Sequence, residues 1–426
     1  MNRRLIDLGR IEQRLAELGE IGATPDGGVN RLAFSTEDAE ARQTVIRWFE
    51  DLGLEVRIDT AGNIIGRREG LQPELPPLML GSHIDSVPNG GRYDGCLGVV
   101  AAIEVVEILN QMKIQTEAPI EVVSFQMEES SRFALAMFGS RVMAGSFQKE
   151  ILNRKDKEGL TLSDCLRIFG LNPDHLPRAE RKTGDIAGFL ELHIDQGKIL
   201  QQLDKPVGLV TGIAAPSRWL CRLQGESCHS GATLPEHRRD ALVAAAEVIL
   251  AVEKTAMAYR ERQLVATIGT LDLKPGVINV IPGEVLLGLD IRGIHRDAIE
   301  SFVQEIRALT EHVAARRSIE VDWQLLSQDE PALTDDAWLG IMEEQCRRLE
   351  IPYDRMISLP AHDALQISRL APVGMILVRN ESGVSHSPSE RINRDDIAVG
   401  VELYCRVALS WLGVDLASRE TERSAG

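Results

Sequence analysis

Aromatic residues are scarce in this 426-residue sequence, at 4% of the chain. So few rings cannot furnish the stacking platforms on which single-stranded nucleic acid is held. Long basic runs are missing as well, and the formal net charge is −17. Phosphate backbones and anionic membrane surfaces are therefore poor partners. No stretch approaches the ~18 consecutive apolar residues of a membrane span. The opening segment MNRRLIDLGRIEQRLAELGEIG spaces its apolar residues for a helix. It lacks the continuous apolar core and small-residue cleavage site of a secretory signal. The six cysteines (Cys96, Cys165, Cys221, Cys228, Cys346, Cys405) form no CxxC pair. That spacing argues against a thiolate zinc site or a disulfide framework and suits reduced thiols. Internal repeats are absent too. The expectation is a soluble, cytoplasmic protein with no nucleic-acid or membrane partner.

What is present is ordinary globular material, 44% hydrophobic and 26% charged, over more length than one core usually serves. Two domains are expected. The first part alternates strands and helices: EVRID, NIIGR and LPPLMLGSHID, then the helix GCLGVVAAIEVVEILNQM with Asp94 as its N-cap. The strand IEVVSFQMEES, a helix through RFALAMFGSRVMAG, a polar excursion near 150–185 and the strand GFLELHIDQG follow. Such alternation predicts an α/β fold, a mixed-sheet α/β/α layer with its sites at the carboxyl ends of the strands. From about Val207 the texture changes to strands VGLVTGI, SRWLCRLQGE, QLVATIGTLDL, EVLLGLDIRG and SIEVDWQLL with two long helices, a smaller α+β unit. The α/β texture returns in APVGMILVRNESGVSHSPSE and a last helix beginning NRDDIAVGV. The economical organisation is a catalytic domain of 1–208 and 328–426 with 209–327 inserted into it. The tail ASRETERSAG reads as disordered.

Metal-type ligands gather at the predicted strand ends: His83 with Asp85 and Asp94, Glu128 with Glu129, His193, and His386 after a short loop. Taken singly, a buried histidine is more often a hydrogen-bonded structural residue. An Asx–Gly cluster is more often a plain loop. Convergence on the strand ends of one sheet points instead to a metal site. Imidazole and carboxylate without thiolate suit Zn²⁺, with Mn²⁺, Co²⁺ or Ni²⁺ as alternatives. Glu128 and Glu129 repel each other and cost desolvation at the end of an apolar strand unless a cation or proton compensates. The plain alternative is an exposed acidic turn. Strand alternation sends the two to opposite sides, so one can bind metal while the other takes a proton from water.

Taken together, GSHIDSVPNGGRYDGCLGV, EESSRF, ELHIDQG, HSGATLPEHRRDA, GVINVIPGEVLLGLDIR, AHDA and GVSHSPSE span about residues 80 to 390 in order. They resemble the zinc-dependent amidase/carbamoylase branch of the M20 metallopeptidases, which holds N-carbamoyl-L-amino-acid hydrolases, allantoate amidohydrolases and β-ureidopropionases. The resemblance implies a di-metal catalytic domain with an inserted lid and dimerisation domain. It also implies two divalent ions per chain, a homodimer, and a small-molecule substrate bearing a carboxylate. Asp94 would bridge the ions, with His83 and His193 on one and Glu129 and His386 on the other. Glu128 would be the general base, Asp85 would orient His83, and Gln196 would lie near the substrate. Arg292 would receive a carboxylate, His229 the developing oxyanion, reaching it from a partner subunit, and Asn279 the substrate. The plain alternatives are a solvated turn for His229, a turn residue for Asn279 and an ion pair for Arg292. The implied reaction is hydrolysis of a linear, non-peptide C–N amide bond, first in N-carbamoyl-L-amino acids and second in allantoate. An M20 aminoacylase or dipeptidase is more distant, and a non-catalytic metal- or ligand-binding protein is the alternative of another class. His362 is similar to a family histidine near the site or caps a loop. His175, His237, His295 and His312 receive no role.

Overall fold

The computed structural model describes residues 4–414 and Leu416, so the tail ASRETERSAG lies outside the described residues. The chain falls into two units, Met1–Thr211 with Thr334–Met356 and His362–Gly426, and Gly212–Leu333 with Ile357–Ala361. The larger unit is built on a mixed sheet. Its strands run in the order Glu55–Ile58, Ile64–Arg68, Ile120–Phe125, Leu78–His83, Gly188–Ile194, Val373–Val378 and Val207–Ile213. The four strands from Ile120–Phe125 to Val373–Val378 are parallel, with antiparallel neighbours on either side. All four are buried along their whole length, which is why they read as continuous apolar runs. In Gly188–Ile194 the period of two still sorts the side chains. Leu190, Leu192 and Ile194 join the main core, while Phe189 packs on Phe125 and Glu191 accepts the Ala364 N–H on the other face.

The helix Cys96–Gln111 is apolar around its circumference because it packs against both the sheet and the helices Leu8–Glu20 and Arg394–Trp411. Each buried Val, Leu or Ile contributes about 1.5–3 kcal/mol, so this helix is a firm base for the loop that precedes it. Asp94 is not its N-cap. Gly95 holds that position at φ 66°, with no side-chain cap hydrogen bond, because the Asp94 carboxylate is drawn to histidines instead.

Two further expectations are corrected. The helix through RFALAMFGSRVMAG shrinks to Phe138–Met143. Ala134 and Met137 adopt φ of 50° and 60°, and the N–H groups of Met137, Phe138 and Gly139 donate to the carbonyls of Glu128, Met127 and Gln126 at 2.7, 2.9 and 2.8 Å. Pairing against the acidic turn outcompetes helix there. The region near 150–185 is a packed lobe rather than a simple polar excursion: Leu162, Cys165, Leu166 and Leu176 bury against Phe34, Phe133 and Phe138.

In the smaller unit four antiparallel strands run in the order Glu320–Gln328, Ala215–Gln224, Glu284–Gly293 and Leu264–Lys274. The helices Ala241–Ala258 and Arg296–Arg317 share its core. Strict alternation in Glu284–Gly293 buries Val285, Leu287, Leu289 and Ile291 and leaves Asp290 and Arg292 on the opposite face. This unit extends beyond the expected 209–327. Ile357–Ala361 belongs to it, held where Ala214 N–H donates to Ser358 O at 2.8 Å and Arg292 Nη1 to Leu359 O at 3.4 Å. Among the described residues, no helix is long and apolar enough to cross a membrane.

Candidate metal centre

Parallel register sets Leu78 opposite Gly188, so His83 and His193 lie side by side at the ends of neighbouring strands. Their rings are 5.8 Å apart and inclined by only 29°. Asp94 reaches them from the loop before the Cys96–Gln111 helix: its Oδ1 is 3.0 Å from His193 Nε2 and 3.9 Å from His83 Nε2. Its Oδ2 is 3.1 Å from His386 Nε2, and Glu129 Oε1 is 3.1 Å from the same nitrogen. Two ligand groups result, His83–Asp94–His193 and Asp94–Glu129–His386, sharing Asp94. Gly95 is obligatory beside them, because a Cβ there would fall 2.5 Å from the His83 ring.

The acidic pair lies past the end of its strand, which stops at Phe125. The two side chains diverge because of a turn, with Met127 at φ 54°, and not by strand alternation. Asp85 holds that turn: its two carboxylate oxygens accept the N–H groups of Glu128 and Glu129, each at 3.0 Å. The nearer partner of His83 Nδ1 is the Asp85 carbonyl, at 3.1 Å, with the carboxylate at 3.5 Å. Thus one aspartate orients an imidazole with its backbone and sets two glutamates with its side chain. Glu129 is directed to His386. Glu128 Oε2 is 3.9 Å from His83 Nε2 and belongs to neither ligand group.

The charges in this cluster are strongly perturbed. Burial pushes the Glu128 carboxyl well above the usual range, with Glu129 adding to the push and His83 opposing it. Burial also raises Glu129, against its hydrogen bond to His386. Asp94 goes the other way: burial would raise it, but His193, His386 and His83 hold it well below the carboxylate range. Hydrogen bonds to Asp94 and Glu129 push the His386 imidazole up to about 10. Buried acids and imidazoles therefore neutralise one another here, in the positions a cation would take. The fit to a divalent ion has a further mark. His193 Nε2 is buried without a hydrogen-bond partner, although Asp94 Oδ1 is 3.0 Å away. A ring nitrogen directed off the hydrogen-bond line, among nitrogen and oxygen ligand atoms without thiolate, suits Zn²⁺, Mn²⁺ or Co²⁺.

The match to peptidase family M20/M25/M40 covers residues 79–410. The chain belongs to that family. It is 42% identical over 394 residues to the N-carbamoyl-L-amino acid amidohydrolase of Geobacillus stearothermophilus, covering 92% of this chain and 96% of that one. It is 34% identical over 385 residues to the allantoate amidohydrolase of Bacillus subtilis strain 168, covering 90% of this chain and 93% of the other. The crystal structure of an amidase of the hydantoinase/carbamoylase family from Burkholderia multivorans superposes with a TM-score of 0.85 at 34% identity, over 96% of this chain and 98% of that one. Membership of this family makes the chain a metal-dependent hydrolase with the M20 fold.

Other residues singled out by the sequence take defined positions. Gln196 Nε2 donates to Asp94 Oδ2 at 3.1 Å and lies 3.3 Å from His386 Nε2. The His362 ring packs 4.4 Å from that of His193. In the smaller unit, His229 is exposed and pairs with Val280. Its Nδ1 accepts the Gly231 N–H at 3.1 Å, which leaves the proton of the neutral ring on Nε2 as a free donor. Asn279 is exposed, and its backbone carbonyl accepts the Ser230 N–H at 3.0 Å. Arg292 Nε pairs with Asp290 Oδ2 at 3.0 Å, as strand alternation predicts. Sequence reasoning missed Ser385 and Glu390, which contact Asp94. Their positions in SHSPSE beside His386 were the available signal.

Proposed function

We propose that the chain hydrolyses N-carbamoyl-L-amino acids to the amino acid, ammonia and carbon dioxide, with two divalent ions shared by Asp94. The observation that carries this is a buried carboxylate, Glu128, beside two ligand groups and free of both. The relative named N-carbamoyl-L-amino acid amidohydrolase, at 42% identity, supports the substrate class. His83, Asp94, His193, Glu129 and His386 would hold the divalent ions, which when bound would supply Lewis-acid polarisation of the scissile carbonyl and a lowered pKa for a water. Glu128 takes the proton of the attacking water and passes it to the leaving nitrogen. His229 donates from Nε2 to the carbonyl oxygen as it becomes an oxyanion, Asn279 contacts the substrate, and Arg292 receives its carboxylate.

A second reading, allantoate hydrolysis, is favoured by the Bacillus subtilis relative. The test is a panel of N-carbamoyl amino acids, allantoate and N-acyl amino acids, assayed for ammonia and for free amino acid with added Mn²⁺, Co²⁺ or Zn²⁺. Turnover of allantoate alone transfers the proposal to that substrate, and turnover of N-acyl amino acids alone points to an aminoacylase. No turnover of any of them favours a binding protein on this scaffold.

A homodimer and a cytoplasmic location are part of the same proposal. The helix Ala241–Ala258 exposes Val243, Leu250 and Met257 at seven-residue spacing, and the strand Leu264–Lys274 is at the edge of its sheet with Val265 and Leu271 exposed. Both features favour a second copy.

Arg292 carries the substrate-class prediction. Its pair with Asp290 is partly exposed and contributes about 0–1 kcal/mol to stability. A charge-assisted bond to a bound carboxylate is worth about 1.5–3 kcal/mol. Arg292→Ala should lower kcat/KM roughly 10–150-fold with little change in melting temperature, and Arg292→Lys should recover only part of it. The loss should vanish on a substrate whose carboxylate is replaced by a neutral amide. Unchanged kcat/KM on every carboxylate substrate leaves Arg292 as a simple ion pair.

A further inference from the structure

Asp94 serves both ligand groups, and apart from Gln196 Nε2, which lies 3.4 Å from Oδ1 and 3.1 Å from Oδ2, different partners hold its two oxygens. Oδ1 faces His193 and His83. Oδ2 faces His386 and accepts a hydrogen bond from the Ser385 hydroxyl at 3.0 Å. That hydroxyl is also 3.0 Å from Glu390 Oε2. Glu390 Oε1 in turn accepts the N–H groups of Tyr93 at 2.9 Å and Asp94 at 3.2 Å. The Glu390 carboxylate is buried, 5% exposed, and belongs to neither ligand group. The chain is shaped around it: a Cβ at Gly91 would fall 2.0 Å from the Glu390 carboxyl carbon. Glu390 therefore grips the Asp94 loop by its backbone, while the single proton of the Ser385 hydroxyl lies between the Glu390 and Asp94 carboxyl groups and ties Oδ2 to the same loop. Because Ser385 and Glu390 flank His386, the same contacts fix the loop that brings His386 to Oδ2.

We propose that Ser385 and Glu390 are positioning residues that set Asp94 Oδ2 and His386 for the ion shared with Glu129, and not for the ion held by His83 and His193. The asymmetry follows from the hydrogen bonds. The serine reaches Oδ2, while His83 and His193 are fixed by their own strands and by backbone carbonyls, His83 Nδ1 on Asp85 O and His193 Nδ1 on Ile194 O. Removing such an outer partner typically weakens metal affinity by about 10–100-fold. A merely structural tie between the two loops would instead destabilise the protein, or weaken both ions alike.

The inference rests on the two-ion reading above, and calorimetric titration of metal-free full-length protein with Mn²⁺, with bound metal counted by elemental analysis, separates the two. Wild type binding fewer than two ions overturns the two-ion reading. Given two, Ser385→Ala should keep one ion at wild-type affinity and weaken the other by about 10–100-fold, with the metal-free melting temperature unchanged. Ser385→Thr, which retains the hydroxyl, should restore it. Glu390→Ala should show the same one-site loss, and if it does not fold, Ser385→Ala decides alone. Both ions bound as in wild type, both weakened equally, or an equal loss in the threonine and alanine variants overturns the inference.

Discussion

Glu128→Gln is expected to keep its metal and its fold and to lose roughly 10²–10⁴-fold in kcat. The substitution is nearly isosteric and removes only the capacity to take a proton. Glu128 is buried, 7% exposed, and burial pushes its carboxyl well above the ordinary range. That shift belongs to the metal-free cluster; cations bound beside Glu128 would favour its ionised form, which is the one able to take the proton of the attacking water. The carboxylate is not needed to hold an ion, since both ligand groups are complete without it. Its neighbour has the opposite role. Glu129 Oε1 is 3.1 Å from His386 Nε2, so Glu129→Gln should deplete one ion and lose activity through that loss. Steady-state kinetics with metal counts on both variants checks the assignment. Metal lost from Glu128→Gln and retained by Glu129→Gln would reverse it.

The same pair illustrates how far the sequence can be read. The central strands were legible because each is buried on both faces and is therefore dominated by apolar residues. His83 and His193 stand out because they follow such runs directly. The divergence of Glu128 and Glu129 was anticipated by a period-two argument, yet the strand has ended at Phe125. A carboxylate 43 residues away, Asp85, sets the turn by accepting the Glu128 N–H. Long-range contacts of this kind have no local signature. Asp94 was misread for the same reason. Its place before an apolar helix is that of an N-cap; the family resemblance set it between two ions instead, and in the fold His193 and His386, each on a distant segment, draw the carboxylate away. Glu390 had only its place in SHSPSE beside His386 as a signal, because the Asp94 N–H it accepts is 296 residues away. In the smaller unit, where Glu284–Gly293 alternates strictly and Arg296–Arg317 is long, the elements fall where period and length put them.

Exhaustive chelation is expected to abolish turnover entirely, and to leave a protein whose stability falls as pH rises. In the absence of a cation, protonated imidazoles must balance the buried carboxylates. His386 is pushed up to about 10 by its hydrogen bonds to Asp94 and Glu129, against ~6.5 in an unfolded chain. A raised histidine contributes stability that is fully present below its unfolded value and is lost as pH rises through its folded one. Glu128, raised by burial, acts in the same direction, since its charged form is disfavoured in the fold. Asp94, held well below the carboxylate range, contributes stability that is lost only in strong acid, so it is constant near neutrality. The melting temperature of the metal-free protein should therefore fall between about pH 7 and pH 10. Binding an ion must expel the imidazole protons, so at neutral pH uptake should release protons to the buffer. Calorimetric enthalpies in buffers of different ionisation heat give their number. The same loss of protons should flatten the pH dependence of the melting temperature in the metal-loaded protein. Added Mn²⁺, Co²⁺ or Zn²⁺ should restore turnover. Full activity with no metal found by elemental analysis would end the di-metal mechanism. A metal-free melting temperature that stays level from neutral to alkaline pH would show that the imidazoles carry no proton there, and would remove the electrostatic account of the empty cluster.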